Sequence, residues 1–314
     1  MSGSGRAEWL DSSRALAMFF IIWLHADAAP DGIGQVVGGA ISLFFLLAGY
    51  FSSSQSRVVV VRAGRLALAW AAWSLLSMGL IAVADSSFEW DWRRAVGWGV
   101  AAYNTPLWFL KTLVVYQLVL AALLALRVLP RCGWLLVLVL LACSYTTEPA
   151  QYAAVRFDYF WLFLLGNCLR VIPLGAVQGY LLRHSLALGL AALVVLVQPW
   201  GLAAWAAWAE LGWRHCNLPV AALAWMLLMV LAGVLLGKYL PGLNGRLARA
   251  GRWMLFIYAS HSFVLAPLYA WSNPRCLWNV WVPVLVLPLL TLLGSRLCRT
   301  FPRAMSVFMA RSQT

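Results

Sequence analysis

Ten long apolar segments constrain the fold of this chain more than any other feature of its sequence. A helix of about 20 apolar residues crosses the hydrocarbon core of a bilayer, and the fifth and seventh segments are the weakest by this measure. Only 11% of the residues are charged, whereas soluble domains have about a quarter, so a soluble globular fold is excluded. We therefore predict an all-α, polytopic bundle of about ten transmembrane helices. The predicted spans are residues 13–29, 34–52, 60–84, 106–127, 133–147, 153–172, 184–199, 218–239, 253–271 and 277–298.

The basic residues between the apolar segments indicate the orientation of the bundle. If the amino terminus is cytoplasmic, seventeen Lys and Arg residues fall on the inner side, five on the outer side and one, Lys111, within a span. Lys and Arg collect in cytoplasmic loops, so both termini are expected to be cytoplasmic. The net charge of +13 thus follows from membrane topology, and no nucleic-acid partner is expected.

The sequence has no repeat, low-complexity tract or long polar linker, so it predicts one membrane domain over residues 1–314 without an appended soluble domain. The six cysteines lack the spacing of a metal site, and no bound metal is expected. Cys216 and Cys276 both fall on the outer side, where an oxidising compartment permits a disulfide. Free cysteines remain the alternative for this pair.

The first apolar segment contains Arg14 and, eleven residues later, His25. Ionisable groups at membrane depth are costly and usually functional. Eleven helical steps of about 100° complete almost three turns, which places both side chains on one face, about 16 Å apart. We interpret the two residues as the ends of one lined cavity, with a neutral histidine buried between helices as the structural alternative.

Five motifs are distributed over almost the whole chain. The amino-terminal motif is Leu10-Asp-Ser-Ser-Arg14 followed by His25. The other four are Ser42-Leu-Phe-Phe-Leu-Leu-Ala-Gly-Tyr-Phe51, Arg62-Ala-Gly-Arg65-Leu, Pro106-Leu-Trp108-Phe-Leu110 and Gly251-Arg-Trp-Met-Leu-Phe-Ile-Tyr258-Ala-Ser-His261. In their residues and their order, these motifs resemble those of the membrane acyltransferase 3 family. The resemblance implies an enzyme that moves an acyl group to a hydroxyl of a carbohydrate or another acceptor.

The resemblance also implies a donor, an acyl-CoA and most simply acetyl-CoA, with no permanently bound cofactor. Guanidinium groups bind phosphates with defined geometry, so we expect Arg14, Arg62 and Arg65 at the cytoplasmic ends of their spans to bind this donor. Positive-inside topology alone also accounts for arginines at these positions.

Acyl transfer to a hydroxyl requires a base, and histidine titrates closest to working pH. His25 is the predicted general base, or an acyl carrier if the reaction proceeds by double displacement. His261 is the second predicted catalytic residue, and structural packing is an equal alternative for it. Trp108 and Tyr258 are expected to line the substrate site, again with packing as the alternative.

The predicted function is therefore O-acylation, with acetylation as the simplest case, of a cell-envelope glycan or glycolipid. The expected location is the inner membrane of a bacterium, among membrane lipids. A transporter or flippase for a lipid-linked sugar or small anion is the alternative, with Arg14 and His25 as substrate and proton sites. Transporters of that kind often contain inverted repeats and paired broken helices, and the sequence has neither signature.

Overall fold

The structure is a computed structural model that describes residues 7–25, 33–84, 107–146, 151–152, 155–201, 213–269 and 281–309. These ranges contain thirteen helices and one short hairpin. The helices are α1 Glu8–Leu24, α2 Ile33–Tyr50, α3 Ser56–Ala84, α4 Trp108–Ala125, α5 Val128–Thr146, α6 Phe160–Leu169, α7 Leu174–Arg183, α8 Ser185–Gly201, α9 Trp213–Tyr239, α10 Pro241–Gly251, α11 Met254–Tyr269, α12 Trp281–Thr300 and α13 Pro302–Phe308. The hairpin pairs β1 Gln151–Tyr152 with β2 Val155–Arg156 in antiparallel register.

Each predicted span overlaps one of these helices, which confirms a helical membrane protein. Among the described residues, four helices are long and apolar enough to cross a bilayer: α3 over Ser56–Leu80, α4, α9 over Val220–Tyr239, and α12 over Val282–Thr300. A fifth is added if α6 and α7 form one bent span. The count of ten spans and the cytoplasmic position of both termini remain predictions.

Two local corrections to the predicted spans follow from backbone geometry. The sixth predicted span starts at residue 153, but Val155–Arg156 form strand β2 and the helix starts only at Phe160. Cys132 has non-helical backbone angles, so α5 is kinked just before the apolar stretch that was predicted as the fifth span. Three short helices, α7, α10 and α13, were not predicted because they are too short or too polar to resemble a span.

The chain groups into two compact units, each discontinuous in sequence, and we describe each unit by itself. The first comprises Met1–Phe44, Val171–Ile257 and Phe263–Leu292, and the second comprises Phe45–Arg170, Tyr258–Ser262 and Leu293–Thr314. The expectation of a single membrane domain remains a prediction.

In the first unit, α1 packs against α9 and α10 at two glycines. A Cβ atom at Gly233 of α9 would lie 2.4 Å from the Trp9 carbonyl oxygen, and one at Gly251 would lie 1.9 Å from that of Asp11. Both distances are far shorter than van der Waals contact, so these positions accept only glycine without a shift of the backbone. Small residues of this kind allow helix backbones to approach closely in membranes.

In the second unit, the end of α2 crosses α6 through a reciprocal pair of glycines. A Cβ atom at Gly49 would lie 1.8 Å from the Phe163 carbonyl oxygen, and one at Gly166 would lie 2.0 Å from that of Leu46. The glycine in the second-helix motif is therefore required by packing. Helix α3 packs along α4 in the same unit. Just before α3, the Ser52 hydroxyl donates to Oε1 of Gln117 on α4 at 3.1 Å.

Candidate active site

Arg14 lies on α1 in the first unit and forms an ion pair within its own helix. Its guanidinium donates to Oδ1 of Asp11 over 3.0 Å, and the spacing of three residues places both side chains on one face. The Asp11 side chain is only 4% exposed, whereas that of Arg14 is 22% exposed. The carboxylate is thus enclosed and the guanidinium is partly accessible.

The segment around Asp11 is fixed by α10. The Asp11 backbone touches Gly251, the last residue of α10. The neighbouring Ser12 hydroxyl lies 2.6 Å from Oδ1 and 3.0 Å from the backbone oxygen of Asn244, and both residues are buried. The contacts at Asn244 and Gly251 are about two helical turns apart on α10. Together they hold the start of α1, and with it the backbone from which the Arg14 side chain extends.

His25 follows the last residue of α1 and is half-buried. Its backbone N–H still donates to the Ile21 carbonyl over 3.2 Å, so the helix is regular from Arg14 to this point. The predicted shared face of Arg14 and His25 is consistent with this continuous helix. Met18 and Ile21 lie between them on that face and are 0% and 3% exposed, so the surface linking the two residues is packed and apolar, not an open cavity.

His261 is the eighth residue of α11 and is completely buried in the second unit. Its Nδ1 lies 2.7 Å from the backbone carbonyl oxygen of Tyr258. A carbonyl oxygen only accepts hydrogen bonds, so this contact requires the proton on Nδ1. In the neutral ring Nε2 then carries the lone pair, which is the arrangement of a proton acceptor.

Two predicted substrate-site residues join His261 through a chain of aromatic rings. The Tyr258 ring centroid lies 6.0 Å from that of His261 and 5.2 Å from that of Phe109. Phe45 stacks obliquely between Phe109 at 4.7 Å and Trp108 at 6.3 Å. The structure therefore brings Trp108, Tyr258 and His261 into one aromatic cluster of the second unit.

Arg62 and Arg65 lie one turn apart near the start of α3, and both are exposed. The Arg62 guanidinium donates to the carbonyl oxygen of Phe51, which follows the end of α2. This bond fixes the connection between α2 and α3, and it uses only part of a group with five N–H donors.

The structure thus groups the predicted residues within each unit: Arg14 and His25 in the first, and Arg62, Arg65, Trp108, Tyr258 and His261 in the second. Asp11 was not among the predicted site residues, although its position three residues before Arg14 on a helix was a usable signal. Within the described ranges, no three His, Cys, Asp or Glu side chains form a metal site. The Cys216 side chain and Cys276 lie outside the described residues, so their pairing remains a prediction.

Comparison with known proteins identifies one family. The model of a family described as an acyltransferase domain matches residues 7–298, which include every predicted site residue. No curated protein and no solved structure matches the chain.

Proposed function

The chain belongs to this acyltransferase family and is a membrane acyltransferase, and on that premise we propose that it transfers acetyl from cytoplasmic acetyl-CoA to a hydroxyl of a cell-envelope glycan or glycolipid. The observation that carries the proposal is the family match over residues 7–298. Within this range lie two histidines, His25, which is half-buried, and His261, which is buried. We further propose that the enzyme acts in the bacterial inner membrane.

The proposed chemistry is direct transfer from a thioester to an alcohol. The acceptor oxygen attacks the thioester carbonyl carbon while its proton passes to the imidazole of His25. The C–S bond then breaks as the new C–O ester bond is complete, and the sulfur leaves as a thiolate that takes up a proton. The products are an acetyl ester and free coenzyme A, so one thiol appears for each ester formed.

His261 is proposed as a second proton acceptor. Its Nδ1–H is committed to the Tyr258 carbonyl at 2.7 Å, so the neutral ring presents a lone pair at Nε2. A lone pair accepts a proton but cannot donate a hydrogen bond to an acyl carbonyl. This geometry favours acid/base catalysis over polarisation of the thioester carbonyl.

Arg14, Arg62 and Arg65 are proposed to bind the phosphate groups of the donor. Arg14 is partly accessible and held by an enclosed carboxylate, so its guanidinium is oriented before any ligand arrives. Arg62 and Arg65 are exposed and share one helix face, the arrangement that a phosphate chain requires. Trp108 and Tyr258 are proposed to form apolar walls near the acyl group, which exclude water from the thioester.

The test is the kinetics of purified protein in nanodiscs, with acetyl-CoA and a panel of polysaccharide and glycolipid acceptors. His25→Gln is expected to lower kcat by about 10²- to 10⁴-fold, the usual contribution of a general base. Arg14→Gln is expected mainly to raise KM for acetyl-CoA. Full activity of His25→Gln together with unchanged donor affinity of Arg14→Gln would contradict the assigned roles.

Two substitutions separate a catalytic from a structural role of His261. His261→Asn keeps an amide N–H close to the Nδ1 position and so retains a donor for the Tyr258 carbonyl, whereas His261→Ala removes it. A catalytic Nε2 predicts that both variants lose turnover while only His261→Ala loses stability. Full turnover in His261→Asn would show that the histidine serves packing alone.

A further inference from the structure

Helix α10 packs against the rest of the first unit mainly by one face. Asn244, Ala248 and Gly251 are buried and recur at intervals of four and three residues, so they form this face. It is the face that holds Asp11 and Ser12 of α1. Ala250 is buried as well, on another side, and the remaining sides carry the exposed residues of the helix.

The side opposite to this buried face is basic. Arg246, Arg249 and Arg252 follow one another at intervals of three residues, and all are exposed. Three-residue steps rotate by about −60° each, so the three guanidinium groups cover a sector of about 120°. Lys238, just before α10, is also exposed, and its ammonium group lies 4.8 Å from the ring centroid of Tyr239.

Exposed apolar side chains lie at the start of α10. Leu243 is on its first turn and is 45% exposed, and Leu240 and Tyr239 immediately before the helix are 53% and 64% exposed. Exposed apolar side chains beside arginines, on a helix that packs by another face, are typical of helices that lie in a membrane–water interface. The helix therefore has the side chains for both the acyl region and the phosphate layer of a bilayer.

The position of α10 in the chain agrees with this placement. The apolar stretch Val220–Tyr239 of α9 has 20 residues, which at about 1.5 Å per residue corresponds to the full hydrocarbon thickness of a bilayer. One residue later α10 begins, so it starts where the hydrocarbon ends. Positive-inside topology accounts for basic residues at this point, but not for the exposed leucines beside them.

We propose that the open sides of α10 bind anionic phospholipids, with Arg246, Arg249 and Arg252 on the headgroup phosphates and Leu240 and Leu243 among the acyl chains. Binding on this side stabilises the helix whose opposite face holds Asp11. An occupied lipid site therefore also fixes the base of Arg14. That last consequence rests on the proposed function, whereas lipid binding itself does not.

The experiment compares retention of phosphatidylglycerol against phosphatidylcholine by the full chain in mixed nanodiscs, read by native mass spectrometry of the released protein. The test variant is Arg246→Gln/Arg249→Gln/Arg252→Gln. The matched control is Arg296→Gln/Arg299→Gln/Arg303→Gln, three exposed arginines with similar spacing near the carboxyl terminus. Each basic residue near an anionic surface contributes about fivefold, so preference for phosphatidylglycerol is expected to fall by at least about tenfold in the test variant and by less than about twofold in the control.

Three results would overturn the proposal. Equal retention by wild type and test variant shows that α10 does not bind the lipid, and equal losses in both triple variants show a general charge effect. Weaker coenzyme A binding without loss of phosphatidylglycerol shows that the helix serves the donor phosphates instead. If the triple variant does not fold, Arg249→Gln is measured alone, with an expected loss of about fivefold, and no loss again overturns the proposal.

Discussion

Replacement of Gly251 by alanine tests the contact between α10 and α1 most sharply. A Cβ atom at this position would lie 1.9, 2.6 and 3.0 Å from the oxygen, carbonyl carbon and Cα of Asp11. All three atoms belong to the backbone, so no side-chain rotation relieves the clash. Ordinary contact begins at 3.4 Å, and one of the two helices must therefore move by about 1.5 Å.

This displacement has a cost in stability and a second cost in activity. Overpacking against rigid neighbours costs about 1–3 kcal/mol, and we expect Gly251→Ala to lie near 3 kcal/mol because backbone atoms are involved. The shifted segment carries Asp11, whose carboxylate orients the Arg14 guanidinium. A misplacement of about 1 Å at a positioning group costs about 10²-fold in rate, so a similar loss of kcat/KM for acetyl-CoA is expected.

The assay combines unfolding of the purified protein in detergent with donor kinetics measured well below the unfolding temperature. Gly245→Ala is the matched control, because it lies on the same helix and a Cβ atom there would meet nothing within 4 Å. The control is expected to gain up to about 1 kcal/mol from helix propensity and to keep full activity. If Gly251→Ala is as stable and as active as this control, the close packing of α10 on α1 is refuted.

Three further predictions concern the same two units. Asp11→Asn is expected to raise KM for acetyl-CoA severalfold with less effect on kcat, because Arg14 loses its fixed orientation; steady-state kinetics measure both, and an unchanged KM contradicts the role of Asp11. Ser12→Ala is expected to lower stability by about 1–2 kcal/mol through its lost bond to Asn244, measured by unfolding, and equal stability would show that this bond contributes nothing. Gly166→Ala is expected to lower the free energy of unfolding by about 1–3 kcal/mol, because its Cβ atom would lie 2.0 Å from the Leu46 carbonyl oxygen. Gly64→Ala in the same unit is the control, because its Cβ atom would meet nothing within 4 Å. Equal stability of the two variants in an unfolding experiment would contradict the α2–α6 crossing.

The positions of the apolar helices were predictable because each coincides with an uninterrupted apolar stretch of the sequence. Helix α10 was not, since its buried residues are Asn244, Ala248, Ala250 and Gly251, and none of these is hydrophobic enough to produce a periodic pattern. The hairpin before Phe160 was missed for a related reason: the apolar residues that follow it extended the predicted span backwards.

The site was predictable in its residue types and less so in its contacts. The interval from Arg14 to His25 predicts one helix face, but not that Met18 and Ile21 fill the space between them. The ion pair between Arg14 and Asp11 was predictable from their three-residue spacing alone. The contacts with Gly251 and Asn244 join residues more than 200 positions apart, and a single sequence carries no signal for such pairs.

The measurement that tests the central claim most directly is the stoichiometry of turnover by purified wild-type protein in nanodiscs. Acetyl-CoA labelled in the acetyl group is supplied with envelope glycans or glycolipids, and the released thiol and the label in ester form are counted together. The proposed function predicts one free thiol for each acetyl ester, with both signals lost in His25→Gln while the protein remains folded. Protein that is folded but neither binds nor consumes an acyl-CoA with any acceptor would contradict it.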